Sequence, residues 1–340
     1  MTVVRLGLAL FCAVLTAGGA APAEAPLLQG LTFGPFAGWT NCLALNDQAN
    51  RYQAVAVPAL GGRLLHYSHD LINILYQNPA ADGLTLDTAT GPFYAGGYQC
   101  DLGPETGALA PRLGLLLGRH EWRAPRNFTV ETASPVDPGV GIRLFKSFTM
   151  DPDTGELGLL QRMLNTSPTE LAHSFHDRTA CKGGGFVFFK LNPASRHSHG
   201  WSTFQAAEGR YFYTAGDRLP AGCEIADGHL VIATGNGAAK LGADLADGWV
   251  AYALGRLLFV KYFPVTKGGD YPDGGNTVAV MWNGTVTELS PLSPRVALKP
   301  GAHFDFPSRW LLKPLKRTIR SFRDVRRILD EVPANPFRQP

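Results

Sequence analysis

Thr277-Val278-Ala279-Val280-Met281-Trp282-Asn283-Gly284-Thr285-Val286-Thr287-Glu288-Leu289 is the stretch on which the reading of this chain turns. An apolar run ends in Asn-Gly and a second run, rich in β-branched residues, begins at once. Asn-Gly supplies the positive-φ positions of a tight turn whose twist matches paired strands, so the stretch predicts an antiparallel hairpin. The run from Thr277 to Trp282 carries no charge and reads as buried on both faces. Glu288, alone between Thr287 and Leu289 on the return arm, then needs a partner or a ligand.

Outward from this hairpin the same punctuation repeats. Asp-Gly or Asn-Gly pairs stand at Asp82-Gly83, Asp227-Gly228, Asn236-Gly237, Asp247-Gly248 and Asp273-Gly274, each offering the backbone a hairpin turn. Between them, Phe128 to Thr132 alternates with period two, and Gly185 to Phe189 and Leu257 to Phe263 are apolar throughout. No strand-then-helix alternation supports a parallel sheet, so the fold class is all-β and antiparallel. A single helix is expected near the end, where Ser321 precedes Asp324 as a capping-box-like start. Phe322, Val325 and Leu329 line one face of it before Pro333 stops it. No repeat or linker marks a boundary, which leaves one sandwich domain over 24–312 and a basic helix and tail over 313–340.

The N-terminus reads as a signal peptide. Met1 to Ala23 carries one early charge, Arg5, then an apolar run too short to span a bilayer, then small residues, with cleavage expected after Ala23. The chain is therefore expected to be secreted or periplasmic, with no transmembrane segment. Cys42, Cys100, Cys181 and Cys223 remain after Cys12 is removed; in an oxidising compartment they are either disulfides or buried thiols. The formal charge of +3 spread over 340 residues shows no basic face for nucleic acid. The one basic cluster, Lys313 to Arg327, reads as a solvated helix face or a dock onto an anionic surface.

Several motifs are absent: GxSxG, HExxH, an EF-hand loop and a P-loop, so no cofactor and no metal is expected. His197 and His199 beside Asn192-Pro193 read as loop residues rather than metal ligands. Polar residues set among apolar strands carry what chemistry there is. Asn165 to Trp201 places His173, His176, Asp177, Arg178 and Lys182 just before three glycines, and Gly96 to Gly107 carries Tyr98, Asp101 and Glu105 among turn residues. Asp101 and Glu105 read first as turn-capping carboxylates.

Five segments together carry a resemblance. They are GGRLLHYSHDLINILYQNP, GGYQCDLGPE, the Asn165-x-Ser…HDRT…KGGG segment, YPDGGN…VTELSPLSP and ALKPGAHFDFPSRWLL. From about Leu31 to Leu312 the chain resembles the galactose-mutarotase-like superfamily, and more closely a group of bacterial secreted proteins labelled DUF4380-like within it. The resemblance implies an antiparallel β-supersandwich with a sugar site on the concave face of one sheet. It implies, too, that His176 acts as general acid and Glu288 as general base of an aldose 1-epimerase. HDRT stands where the family's NHxYFN-type signature would be, which departs from the pattern at His176.

Anomer exchange removes a proton from O1 and delivers one to the ring oxygen, work for one carboxylate and one imidazole. Arg178 and Lys182 would hold hydroxyls or a uronate carboxylate, and Tyr98, Trp201 or Trp282 would offer a flat surface to a sugar. Three functional classes follow: an aldose-epimerase-like isomerase, a non-catalytic glycan-binding protein, and a polysaccharide lyase or glycoside hydrolase on the same scaffold. A hydrolase would need Glu288 paired with Asp101 or Glu105. The expected partner is a mono- or oligosaccharide, uronate-containing in one variant.

Overall fold

The computed structural model describes residues 28–91, 93–105, 112–207, 210–216 and 218–338. The expected signal peptide lies outside them. Among the described residues, two antiparallel sheets of thirteen and nine strands pack face to face around one large apolar core. The helices are short: Leu113–Leu117, which the sequence reading did not anticipate, and Phe322–Arg326, with 3-10 turns at Pro79–Ala81 and Leu329–Glu331. None is long and apolar enough to cross a membrane.

The quoted stretch folds as a hairpin. Val278–Trp282 pairs with Val286–Pro291, placing Met281 opposite Glu288 and Trp282 opposite Thr287. Asn283 Oδ1 accepts the N–H groups of Thr285 and Val286, and Gly284 takes a φ of 82°. The other turn pairs need a correction. Asp227-Gly228 also closes a hairpin. Asn236-Gly237 and Asp247-Gly248 instead lie where the chain crosses from one sheet to the other, and Asp82-Gly83 and Asp273-Gly274 lie in loops. All these glycines adopt positive φ. The pair fixes the bend of the chain, not the sheet to which it returns.

The middle of the larger sheet runs Arg63–His69, Gly97–Gly103, Leu171–Lys182, Val286–Pro291, Val278–Trp282 and Ala239–Ala243. Side chains alternate across each strand. In Leu171–Lys182, Phe175, Asp177, Thr179 and Cys181 point between the sheets, while His176, Arg178, Ala180 and Lys182 point to the outer face. Beneath them Trp310 packs against Tyr67, Tyr98 and Phe259 with ring centroids 5.9, 5.6 and 5.2 Å apart.

The tail also differs from expectation. His303–Ile319 is one long strand of the smaller sheet, so Lys313, Lys316 and Arg317 belong to the sandwich and the boundary at Leu312 moves to Ile319. The helix starts where the cap predicted, with Ser321 Oγ accepting the Asp324 N–H at 3.3 Å, but Leu329 sits in a separate 3-10 turn. Cys42, Cys100, Cys181 and Cys223 are all free thiols.

Candidate functional site

Register brings the candidate residues together. His176 pairs with Asp101 and Arg178 with Gln99 across one strand boundary, and Ala180 pairs with Glu288 across the other. Arg178, on the middle strand, therefore has carboxylates on both sides. Its Nε donates to Asp101 Oδ2, its Nη1 to Glu288 Oε1 and its Nη2 to Glu105 Oε1, each at 3.2 Å. Two further cations back this ring: Arg112 Nε lies 2.5 Å from Asp101 Oδ1, and Lys240 Nζ lies 2.5 Å from both oxygens of Glu105. Burial pulls the Arg178 guanidinium down, but Glu288, Asp101 and Glu105 outweigh it and hold its pKa above the ordinary value. Burial likewise pushes the Glu105 carboxyl up, and Arg178 and Lys240 overcome that push to hold it below.

Beside the ring is a cavity of about 200 Å³ lined by Arg63, Tyr94, Gln99, Asp101, Arg178 and Glu288, with Gly97 also on its wall. Gly97 has φ +65°, and a Cβ there would stand 2.1 Å from the Leu64 carbonyl oxygen, so only glycine lets this strand lie against its neighbour. Arg63 is buried and, among the described residues, donates to neutral oxygens alone: Gly96 O at 2.7 Å, Gln99 Oε1, and Leu116 O at 3.5 Å. Burial brings its pKa down to about 10. Tyr94 is 42% exposed at the rim, and its hydroxyl is driven up by burial and by Glu288.

His176 lies on the same face but is fully buried, and neither ring nitrogen has a hydrogen-bond partner among the described residues. Burial, then Arg178, Lys240, Arg112 and Lys261, holds it well below the ordinary histidine pKa, hence neutral. One ligand atom each from His176, Glu105 and Asp273 falls within 4.8 Å of the others. That set has the composition of a metal site. Glu105, however, is already paired with Lys240 through both oxygens and with Arg178 through one, so this carboxylate is committed to cations of the chain.

Other expected residues fall elsewhere. Tyr98 and Trp282, 0% and 1% exposed, are side chains of the inter-sheet core, because strand alternation turns them away from the cavity. Trp201 is packed into the same core at its edge, with its ring against His199 at 5.3 Å. Lys182 is exposed on the outer face and lines a second, larger cleft with His66 and Tyr76. Asp101 and Glu105 are partners of Arg178 rather than turn caps, although Asp101 Oδ1 also accepts the Leu102 N–H. Sequence reasoning missed Arg63, Tyr94, Gln99, Arg112 and Lys240. Only Arg63 left a signal, an arginine directly after Gly61-Gly62 at the head of an apolar strand.

No family profile matches the chain, and no curated protein matches it. Solved structures do. A galactose mutarotase-like protein from Lactobacillus casei is 10% identical with a TM-score of 0.55, covering 79% of this chain and 100% of that one. A galactose mutarotase-like protein from Clostridium acetobutylicum is 10% identical with a TM-score of 0.55, covering 85% and 99%. The Slr1438 protein from Synechocystis sp. PCC 6803 is 13% identical with a TM-score of 0.55, covering 80% and 96%. At such identities the likeness is one of fold: the chain has a galactose mutarotase-like sandwich.

Proposed function

We propose that this protein binds a single sugar ring in the cavity between Arg63, Arg178 and Glu288. The observation that carries the reading is the lining itself. Donors (Arg63, Arg178, the Gln99 amide) and acceptors (Asp101, Glu288) surround a space of about 200 Å³, with Tyr94 at the rim. Drug-sized sites run to about 300–1,000 Å³, so a smaller cavity with charged and amide side chains in its wall suits a compact polyol. Alternating donors and acceptors match ring hydroxyls, which need both. The charge of Arg178 is already met by three carboxylates, which favours hydroxyls over a uronate at that position.

A second reading is an aldose 1-epimerase, favoured by one observation: His176 and Glu288 flank Arg178 on one face. Glu288 lines the cavity and in this reading would take the O1 proton. Held neutral and fully buried, His176 is poorly equipped to deliver a proton to the ring oxygen. Binding therefore ranks ahead of catalysis, and a lyase or hydrolase behind both. Export by a cleaved signal peptide, and membership of the secreted DUF4380-like group, belong to the same proposal.

The test is titration of neutral and uronic monosaccharides by calorimetry, followed by NMR exchange spectroscopy of the anomers of the best ligand. Binding without faster exchange establishes a recognition protein. Exchange that is accelerated in the wild type and lost in Glu288→Gln, with binding retained, moves the assignment to the epimerase. No binding to any sugar overturns both.

A further inference from the structure

The second cleft holds about 640 Å³ and plays no part in binding a single ring. Its lining includes Phe36, His66, Asn73, Tyr76, Gln77 and Lys182. Flat aromatic faces beside side-chain amides are the surfaces a sugar ring uses, one for its apolar C–H face and the other for its hydroxyls. The cleft adjoins the first cavity. Tyr76 in the cleft stacks on Tyr94 at the cavity rim, with centroids 6.3 Å apart and planes 20° from parallel. The Gly97 N–H, in the cavity wall, donates to the Tyr76 carbonyl at 2.7 Å. Lys182 and Arg178 project from the same side of one strand, four residues and so about 13 Å apart.

Charge gives the cleft a polarity that the cavity lacks. Burial, with Lys182 adding, brings the His66 pKa down to about 4, so this imidazole is neutral at physiological pH. Of the lining side chains only the Lys182 ammonium is then charged, and among the described residues no carboxylate forms an ion pair with it. Each carboxylate of the neighbouring cavity is committed to Arg178, Arg112 or Lys240.

We infer that the ligand is an acidic oligosaccharide, one ring in the Arg178 cavity and an adjoining unit in the cleft with its anionic group on Lys182. This rests on the sugar-binding reading and extends it to a substrate class. The Tyr76–Tyr94 pair is the bridge under the linkage, and Lys182 selects for charge.

Calorimetry on the full chain with four probes tests it: a monosaccharide, its neutral oligosaccharide, an oligouronate and a sulfated oligosaccharide, each at low and high salt. The neutral oligosaccharide is expected to bind at least about tenfold tighter than the monosaccharide. One or both acidic probes should bind tighter again, with a salt-sensitive increment. The stronger of the two identifies the anion as carboxylate or sulfate ester. Lys182→Gln, a change at an exposed side chain, should remove the acidic increment and leave monosaccharide affinity untouched, and Tyr76→Ala should remove the gain with length. A monosaccharide that binds as tightly as every oligosaccharide overturns the inference alone, as does an acidic preference that survives Lys182→Gln. Failure of every probe to bind overturns the sugar-binding reading with it.

Discussion

Asp177 and Arg178 are neighbours in the chain and sit in opposite worlds. On the inner face of their strand, Asp177 Oδ1 accepts from Lys261 Nζ at 2.6 Å, and both side chains are 0% exposed. Thr179 Oγ1 at 2.6 Å, the Leu289 carbonyl at 3.4 Å and Gln161 Nε2 at 3.3 Å complete the pair, while Lys261 lies 5.2 Å over the Trp310 ring. On the outer face, Arg178 is 22% exposed and makes three longer contacts of 3.2 Å beside a cavity. The inner cluster is short and closed, and nothing can enter it. The outer one is looser and open on one side, so a ligand hydroxyl can exchange into it. Charge inside a sandwich thus separates into a closed buried pair and a cluster that borders a cavity, according to which side of the strand carries it.

The largest expected effect breaks the inner pair. Lys261→Met leaves the Asp177 carboxylate buried without its cation and should cost about 3–5 kcal/mol, read from urea denaturation. Lys261→Met combined with Asp177→Leu should recover most of that loss, because a matched apolar pair removes the uncompensated charge. The refolded double variant should keep wild-type sugar affinity. A double variant no more stable than the single would show that the pair is not the source of the loss.

Next in size is Arg178→Met on the outer face. Asp101 and Glu105 keep Arg112 and Lys240, and the cavity admits water, so the stability loss should be smaller, about 1–3 kcal/mol. Sugar affinity should fall at least about tenfold. Denaturation and calorimetry on the two single variants would then separate the faces. If Arg178→Met loses as much stability as Lys261→Met and keeps its ligand, the outer cluster is structural as well.

Much of the fold could be read because its signals are local. Asn283-Gly284 specifies a hairpin, Ser321 specifies a helix start, and apolar runs specify buried strands. Local signals could not say which sheet receives a chain leaving Asp247-Gly248, since that depends on the packing of residues far away in sequence. In the site, Arg178 and Glu288 stood out as charges in apolar strands, and their meeting follows from adjacent strands separated by more than a hundred residues. Tyr98 and Trp282 misled because an aromatic residue in a strand looks the same whichever face it occupies, and here parity turned both inward. Arg112, beside a short helix, and Lys240, on a mixed strand, carried no local mark and join the site only through Asp101 and Glu105.

The smallest expected effect sharpens the outer face by removing one of its supports. Lys240 Nζ reaches both oxygens of Glu105 and lies 5.0 Å from the Phe204 ring centroid, and the two ionic side chains are 12% and 17% exposed. Lys240→Gln leaves Glu105 with Arg178 and should cost about 1 kcal/mol near neutral pH. The pH dependence follows from the sign of the Glu105 shift. Its carboxyl is held below the ordinary value, so the unfolded chain takes up the proton more readily than the folded one. The stability this supplies is present above the ordinary glutamate pKa and is lost as the pH falls through the folded value. Without Lys240 the folded value climbs toward the ordinary one, and the variant has less of this stability to lose. Urea denaturation of wild type and Lys240→Gln at pH 7 and at successive steps below the ordinary glutamate pKa should therefore show a gap that narrows in acid. A gap that stays constant as the pH falls would instead assign the contribution of Lys240 to its packing on Phe204.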